Sequence, residues 1–305
     1  MSRRLLFHRD FLGPSGGHGK VWDYFGHTDA HPGWTPTIYL TPASVDADNP
    51  WRAHRVQAQW RPDAADALFL GGVDWQAYPD DEPARPVINL VQHVRHGDPA
   101  EPLYAFLNRR AIRLCVSAEV ADAITATGRV NGPVRVIDAA LRWSTQGMPV
   151  AAGRAGVFID SLKQPALGEA LAAALRQHGR VVDLCDQRLP RDTYLARLAA
   201  AETAVLLPHA TEGFYLPGLE AMALGCATVV PDCIGNRAYL MAEGNALAPL
   251  LQLEALTHAV ERLDDDALRA RLTAAGRATA ARFRIERERD AFHAVLDDLD
   301  RLWHT

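Results

Sequence analysis

The chain has 305 residues, 48% of them hydrophobic and 23% charged, with a formal charge of -5 at pH 7. This is ordinary globular composition with enough length for two compact domains, and it excludes disorder, collagen-like repeats and a disulfide scaffold. The negative balance leaves no global positive field to hold a polyanion, so no nucleic-acid partner is expected.

The predicted elements alternate short apolar, β-branched runs with Ala/Leu/Arg-rich amphipathic segments, the pattern of βα units around parallel sheets. In the first half, strands are expected at Arg4–His8, Thr37–Leu40, Ala67–Gly71, Val87–His93, Arg113–Ser117 and Val134–Asp138, with helices at Gly17–Phe25, Glu101–Asn108 and Ala118–Thr127. Ser144 to Gly156 lacks periodicity and is rich in Gly and Ala, as suits a linker. The alternation then restarts with strands at Val157–Asp160, Val181–Leu184, Ala204–Pro208 and Ala227–Pro231 and helices at Ala166–His178, Pro190–Ala201 and Pro217–Leu224. From Leu253 the chain reads as helical, and Phe283 to Trp303 reads as one long terminal helix whose apolar face packs on the first domain. The expected division is residues 1–146, 147–283 and a returning helix at 284–305.

Four cysteines, Cys115, Cys185, Cys226 and Cys233, are widely spaced without a C-x-x-C pair, which fits neither a zinc site nor a secreted disulfide framework. The stretch from Met1 to Phe11 is too interrupted for a signal-peptide core, and no apolar run approaches about 18 residues. A soluble, cytoplasmic protein is expected. No basic amphipathic stretch stands out, which leaves peripheral membrane contact open. Only two lysines occur, Lys20 and Lys163, each near a candidate phosphate-binding segment, although a coding bias towards arginine accounts for the count equally well.

The most informative segment is Leu206 to Asn236, LLPHATEGFYLPGLEAMALGCATVVPDCIGN. An apolar strand ends at Pro208, a loop carries His209 and Glu212, a turn follows at Gly213-Phe214-Tyr215-Leu216, and Pro217 opens a helix containing Glu220. A loop feeding a helix N-terminus presents backbone N–H groups and the positive end of the helix dipole, which together favour a phosphate. Two carboxylates flanking that turn suit a sugar nucleotide, one meeting a sugar ring and the other accepting both ribose hydroxyls. The segment resembles the E-x7-E motif of family 4 glycosyltransferases in Glu212, Gly213, Phe214, Pro217, Leu219, Glu220, Ala221, Ala223, Gly225 and Pro231.

That resemblance implies the GT-B fold, an α/β architecture of two Rossmann-like domains facing a central cleft. It implies that Glu212 contacts the donor sugar, that amides around Phe214, Tyr215 and Leu216 hold sugar or phosphate oxygens, and that Glu220 binds the nucleotide ribose. Gly16 and Gly17, after the first strand, resemble the glycine pair that faces the donor phosphates, and His93 resembles the first-domain histidine that faces the donor sugar. His96 and Arg95 read either as acceptor contacts or as solvated loop residues. After Val157–Asp160 the family carries an Arg and then a Lys on the diphosphate; here Asp160 or Ser161 stands at the Arg position, and Lys163 retains the second role at a shortened spacing. Arg188, Arg237 or Lys20 is left to supply the missing charge, and the loop from Leu184 to Arg188 is expected to frame the nucleobase.

The implied reaction moves a sugar from a nucleoside diphosphate sugar, a co-substrate rather than a cofactor, to a saccharide or glycolipid acceptor in glycan or polysaccharide assembly, with retention. No resident cofactor is expected. Metal independence is also expected, because Asp80-Asp81-Glu82 and Asp264-Asp265-Asp266 read as solvated acidic turns rather than diphosphate-metal motifs. Inverting transfer, sugar-nucleotide epimerisation and a non-catalytic sugar-nucleotide-binding homologue are the alternatives. Trp22, Tyr24, Trp34, Trp51, Trp60 and Trp75 read mainly as core.

Overall fold

The computed structural model describes residues 2–78, 85–142 and 153–305. The chain forms two compact units, one of Met1–Ala139 with Glu286–Thr305 (unit 1) and one of Ala140–Ile285 (unit 2). The expected boundary at residues 146 and 147, most of the Ser144–Gly156 linker and the acidic run Asp80-Asp81-Glu82 lie outside the described residues.

Unit 1 carries β1 (Arg3–Arg9), α1 (Gly16–Asp29), β2 (Trp34–Leu40), β3 (Val56–Gln57), β4 (Ala67–Gly71), β5 (Val87–Val91), β6 (Ile112–Cys115), α2 (Ala118–Thr125) and β7 (Val134–Val136). These strands make one parallel sheet in the order β3-β2-β1-β4-β5-β6-β7. Every residue of β4, β5 and β6 is buried, which is why these strands read as unbroken apolar runs rather than alternating ones. The strand at β2 begins earlier than expected and includes Pro36, which pairs with Leu5. Proline is tolerated there because β3 pairs only with Ile38 and Tyr39, leaving the first half of β2 as an edge. The helix expected over Glu101–Asn108 is a 3-10 helix at Pro102–Asn108. Its carbonyl end is gripped by the buried Arg113, which donates to the oxygens of Phe106, Leu107 and Arg109.

Unit 2 holds β8 (Val157–Asp160), α3 (Pro165–Gln177), β9 (Val182–Cys185), α4 (Arg191–Ala200), β10 (Thr203–Leu206), α5 (Leu216–Leu224), β11 (Ala227–Val229), α6 (Leu253–Arg262) and α7 (Asp266–Ala280). Its four strands are parallel in the order β11-β10-β8-β9. Asp265 of the expected acidic turn caps α7 by accepting from Ala267 N and Leu268 N. Helix α5 ends on Gly225 at φ +79°, a left-handed residue that only glycine adopts cheaply and whose missing side chain leaves room for the Arg277 guanidinium.

The terminal segment is two helices, α8 (Ile285–Asp297) and α9 (Leu299–His304), not one. The break falls at Asp298, a poor helix former whose carboxylate is drawn towards Arg301. Within unit 1 these helices cover the sheet: Phe292 meets the rings of Tyr24 and Phe69, and Trp303 joins a core with Leu6, Leu68, Leu70 and Trp75. Trp51, Trp75 and Tyr24 are fully buried, with Trp34 close behind. No helix among the described residues is long and apolar enough to cross a membrane.

Candidate donor-binding site

In unit 2 the carboxyl ends of β8 and β10 and the start of α5 converge on the acidic motif. The loop after β10 folds back through His209 N, which donates to Glu212 Oε1 at 3.1 Å. Lys163, three residues beyond the end of β8, donates to the same Glu212 oxygen and lies 5.5 Å from the centre of the Tyr215 ring. The shortened spacing therefore still delivers Lys163 to the motif. Gly235 braces the loop from behind: Tyr215 N donates to its carbonyl at 2.8 Å, and a Cβ at Gly235 would stand 2.7 Å from Glu212 Cβ. Phe214 packs against the core, and Tyr215 is buried with its carbonyl accepting from the Tyr239 hydroxyl.

Glu220 sits in the middle of α5 on an entirely buried stretch, Gly218 to Leu224, and its side chain is only 2% exposed. A carboxylate so placed needs a compensating partner. Arg191, the first residue of α4, supplies it with a two-pronged pair, one guanidinium nitrogen at 3.1 Å from Oε2 and the other on Oε1. Burial works against the guanidinium charge, but the Glu220 carboxylate outweighs it and holds Arg191 above its ordinary value.

Asp160, which with Ser161 is a candidate for the expected arginine position, accepts from the Tyr194 hydroxyl at 3.0 Å and from Leu162 N at 3.3 Å. Burial pushes its carboxyl up, and the Tyr194 hydroxyl, the Leu162 amide and the Lys163 charge reverse this only in part. Ser161 is wholly buried, and an aspartate and a serine have no positive charge with which to replace the arginine. Arg188 lies exposed in the loop after β9, and Arg237 pairs with Asp232 at 2.7 Å.

Unit 1 brings a second set together. Gly16 and Gly17 open α1 behind the cap Ser15, and the Gln92 side chain donates to the Gly17 carbonyl at 3.3 Å, joining the glycine loop to the end of β5. His93 follows at once, half-buried, its Nδ1 accepting from Arg95 N at 3.1 Å. Two expectations are corrected here. Lys20 is not at a phosphate site: it is buried, with its ammonium on Asp23 and Glu288 at 2.7 Å each. His96 is neither solvated nor exposed to an acceptor, because it is buried, and that burial pushes its imidazole down to about 4.

The sequence reading did not single out Arg191 or Tyr194. The available signal was a cation at the first position of a helix, where the dipole disfavours it unless an anion lies nearby. It also passed over a buried group where β1 and β4 meet, at which the strand order reverses: Asp74 takes His8 Nδ1 at 3.2 Å and Arg9 at 3.0 Å.

No protein-family model and no curated protein matches the chain. Solved structures do. HepE from Anabaena in complex with UDP superposes with a TM-score of 0.72 at 14% identity, over 97% of this chain and 100% of that one. Sucrose-phosphate synthase from Thermosynechococcus elongatus gives 0.70 at 13% identity, over 97% and 99%. The chain has the GT-B fold. WaaG, a glycosyltransferase involved in lipopolysaccharide biosynthesis, shares that GT-B fold with a TM-score of 0.68 at 12% identity, over 95% of this chain and 99% of that one.

Proposed function

We propose that the protein is a glycosyltransferase of the family 4 type, moving a sugar from a nucleoside diphosphate sugar to a hydroxyl of a saccharide or glycolipid acceptor with retention of configuration. The observation that carries the reading is the acidic pair, Glu212 and Glu220, set on either side of the turn that opens α5, each gripped by a cation from a neighbouring strand end or helix start. Glu220 takes the ribose hydroxyls. Glu212 meets the donor sugar, while Lys163 moves from Glu212 towards the diphosphate, the stronger anion, and balances its charge as the anomeric bond breaks. The Phe214 amide adds a donor at the positive end of the helix dipole, whereas those of Tyr215 and Leu216 are given to the carbonyls of Gly235 and Phe214 and brace the turn.

The roles that the resemblance gives to Gly16, Gly17, His93 and Arg188 belong to this proposal. It also includes metal-independent transfer, since the leaving diphosphate is met by amides and an ammonium, and a setting in glycan assembly. The test is turnover: nucleotide sugars are incubated with a mixed acceptor pool, and release of nucleoside diphosphate is followed for wild type and Glu212→Gln. Release that the substitution lowers at least about a hundredfold supports the reading. Release equal in both, or none from any nucleotide sugar, contradicts it.

A further inference from the structure

The loop that carries Lys163 runs only from Ser161 to Gln164, between the end of β8 and the start of α3. Its two ends are pinned. Ser161 N donates to the Cys185 carbonyl at 2.9 Å, and the Ser161 hydroxyl donates to the same oxygen at 3.4 Å. Gln164 N closes the turn on the Ser161 carbonyl at 2.8 Å, and its side chain donates to the Pro208 carbonyl at 3.4 Å. Between these ends Leu162 is 41% exposed, so packing does little to fix it. Its amide is held instead by Asp160 Oδ1 at 3.3 Å, a side-chain turn across the strand end. The other Asp160 oxygen takes the Tyr194 hydroxyl at 3.0 Å. The Tyr194 ring stands edge-on to Phe158, 5.7 Å between centres, and Phe158 and Asp160 share one face of β8 as alternate residues of a strand. One side chain of α4 thus holds the strand with its ring and the carboxyl group of the loop with its hydroxyl.

We propose that Asp160 and Tyr194 are positioning residues for Lys163, fixing the shortened loop so that the ammonium is delivered to the acidic motif and from there to the donor diphosphate. The inference rests on the donor-site reading above. A lysine ammonium rides on a flexible stem, so the volume it searches is set by the backbone from which the stem starts. Leu162, the residue before Lys163, is tied through Asp160 to β8 and through Tyr194 to α4. A carboxyl group gives a diphosphate no favourable charge. What Asp160 adds at this strand end is its pair of acceptor oxygens, one for the loop amide and one for the hydroxyl from α4. Neither residue touches the nucleotide in this reading; each acts through where Lys163 stands.

The experiment is a double-mutant cycle read by calorimetric titration of the full chain with UDP and with uridine, or with whichever of GDP, ADP and dTDP wild type takes up and its nucleoside. The proteins are wild type, Asp160→Ala, Asp160→Asn, Tyr194→Phe, Lys163→Ala and Asp160→Ala/Lys163→Ala. Asp160→Ala is expected to weaken UDP at least about fivefold and to leave uridine within about twofold, a smaller version of the loss in Lys163→Ala. With Lys163 already alanine, removing Asp160 is expected to cost less than about twofold more. Asp160→Asn still accepts from the Leu162 amide and keeps most of the UDP affinity. Tyr194→Phe keeps its ring on Phe158 and is expected to weaken UDP about threefold, so it decides by the same readings should Asp160→Ala not fold. UDP binding by folded Asp160→Ala within about twofold of wild type, or tighter, overturns the inference and leaves the donor site in place. So does an equal loss of UDP and uridine, or a loss undiminished in the Lys163→Ala background. A Lys163→Ala chain that binds UDP as wild type does, or a wild-type chain that takes up none of the four nucleotides, overturns the donor-site reading and this inference with it.

Discussion

In unit 1 Glu288 is wholly covered, and the Lys20 and His27 side chains around it are sealed to 5% and 6% exposure. In unit 2 Glu220 is almost as deeply covered, yet its partner Arg191 keeps half its side chain in solvent, and Lys163 on Glu212 keeps about a third. Both units solve the same problem, a carboxylate removed from water that must be matched by positive charge. In unit 1 every partner is inside, and the cluster fastens α8 to α1. In unit 2 the acid is inside and the cation is at the rim. On the function proposed above, exposure of the cation, rather than burial of the acid, is what separates the structural cluster of unit 1 from the proposed binding pairs of unit 2.

The comparison is broken most forcefully at its sealed end. Lys20→Met takes the ammonium away from the buried Glu288 and Asp23 and is expected to cost roughly 3–5 kcal/mol in urea unfolding, with nucleotide affinity of the folded protein unchanged. A loss below about 1 kcal/mol means that the cluster is not what fastens α8. At the open end, Lys163→Ala is expected to weaken UDP by roughly 1.5–3 kcal/mol while leaving uridine binding nearly intact, since only the diphosphate meets the ammonium. Titration of both ligands separates the two contributions.

A pH series sharpens the contrast. Burial pushes the Glu288 carboxyl up, but the Lys20 charge together with hydrogen bonds from His27 and Lys20 brings it below its ordinary value of 4.5. A carboxylate lowered in the folded state contributes stability that is present above 4.5 and lost as the pH falls through its folded value. Glu288→Gln should therefore flatten the acid limb of stability measured by thermal melts. The smallest effect is expected at Arg237, whose pair with Asp232 is half-exposed on both sides. Arg237→Ala is expected to change stability by less than about 0.5 kcal/mol, and a larger loss would place Arg237 among the matched cations.

Much of the fold was legible in the sequence because parallel strands buried on both faces leave unbroken apolar runs; Ala67–Gly71 and Val157–Asp160 fall on their expected bounds. The strand through Pro36 was shortened because edge status is set by a partner strand far along the chain. In the same way, the motif from Glu212 to Glu220 could be located on a strand, a turn and a helix from local pattern alone. Its cations could not all be found: Lys163 was visible as a rare lysine, but Arg191 is one arginine among many and owes its place to α4 meeting α5. Lys20 misled for the complementary reason. Its glycine-rich surroundings signalled a phosphate loop, and only Glu288, far away in sequence, shows that the side chain turns inward.

The measurement that tests the donor site most directly is thermal shift with UDP, GDP, ADP, dTDP and their sugars on wild type and Glu220→Ala. The account predicts that one nucleotide series raises the melting temperature of wild type and that Glu220→Ala abolishes the rise. No shift with any nucleotide at millimolar concentration, or an equal shift in both proteins, would contradict it.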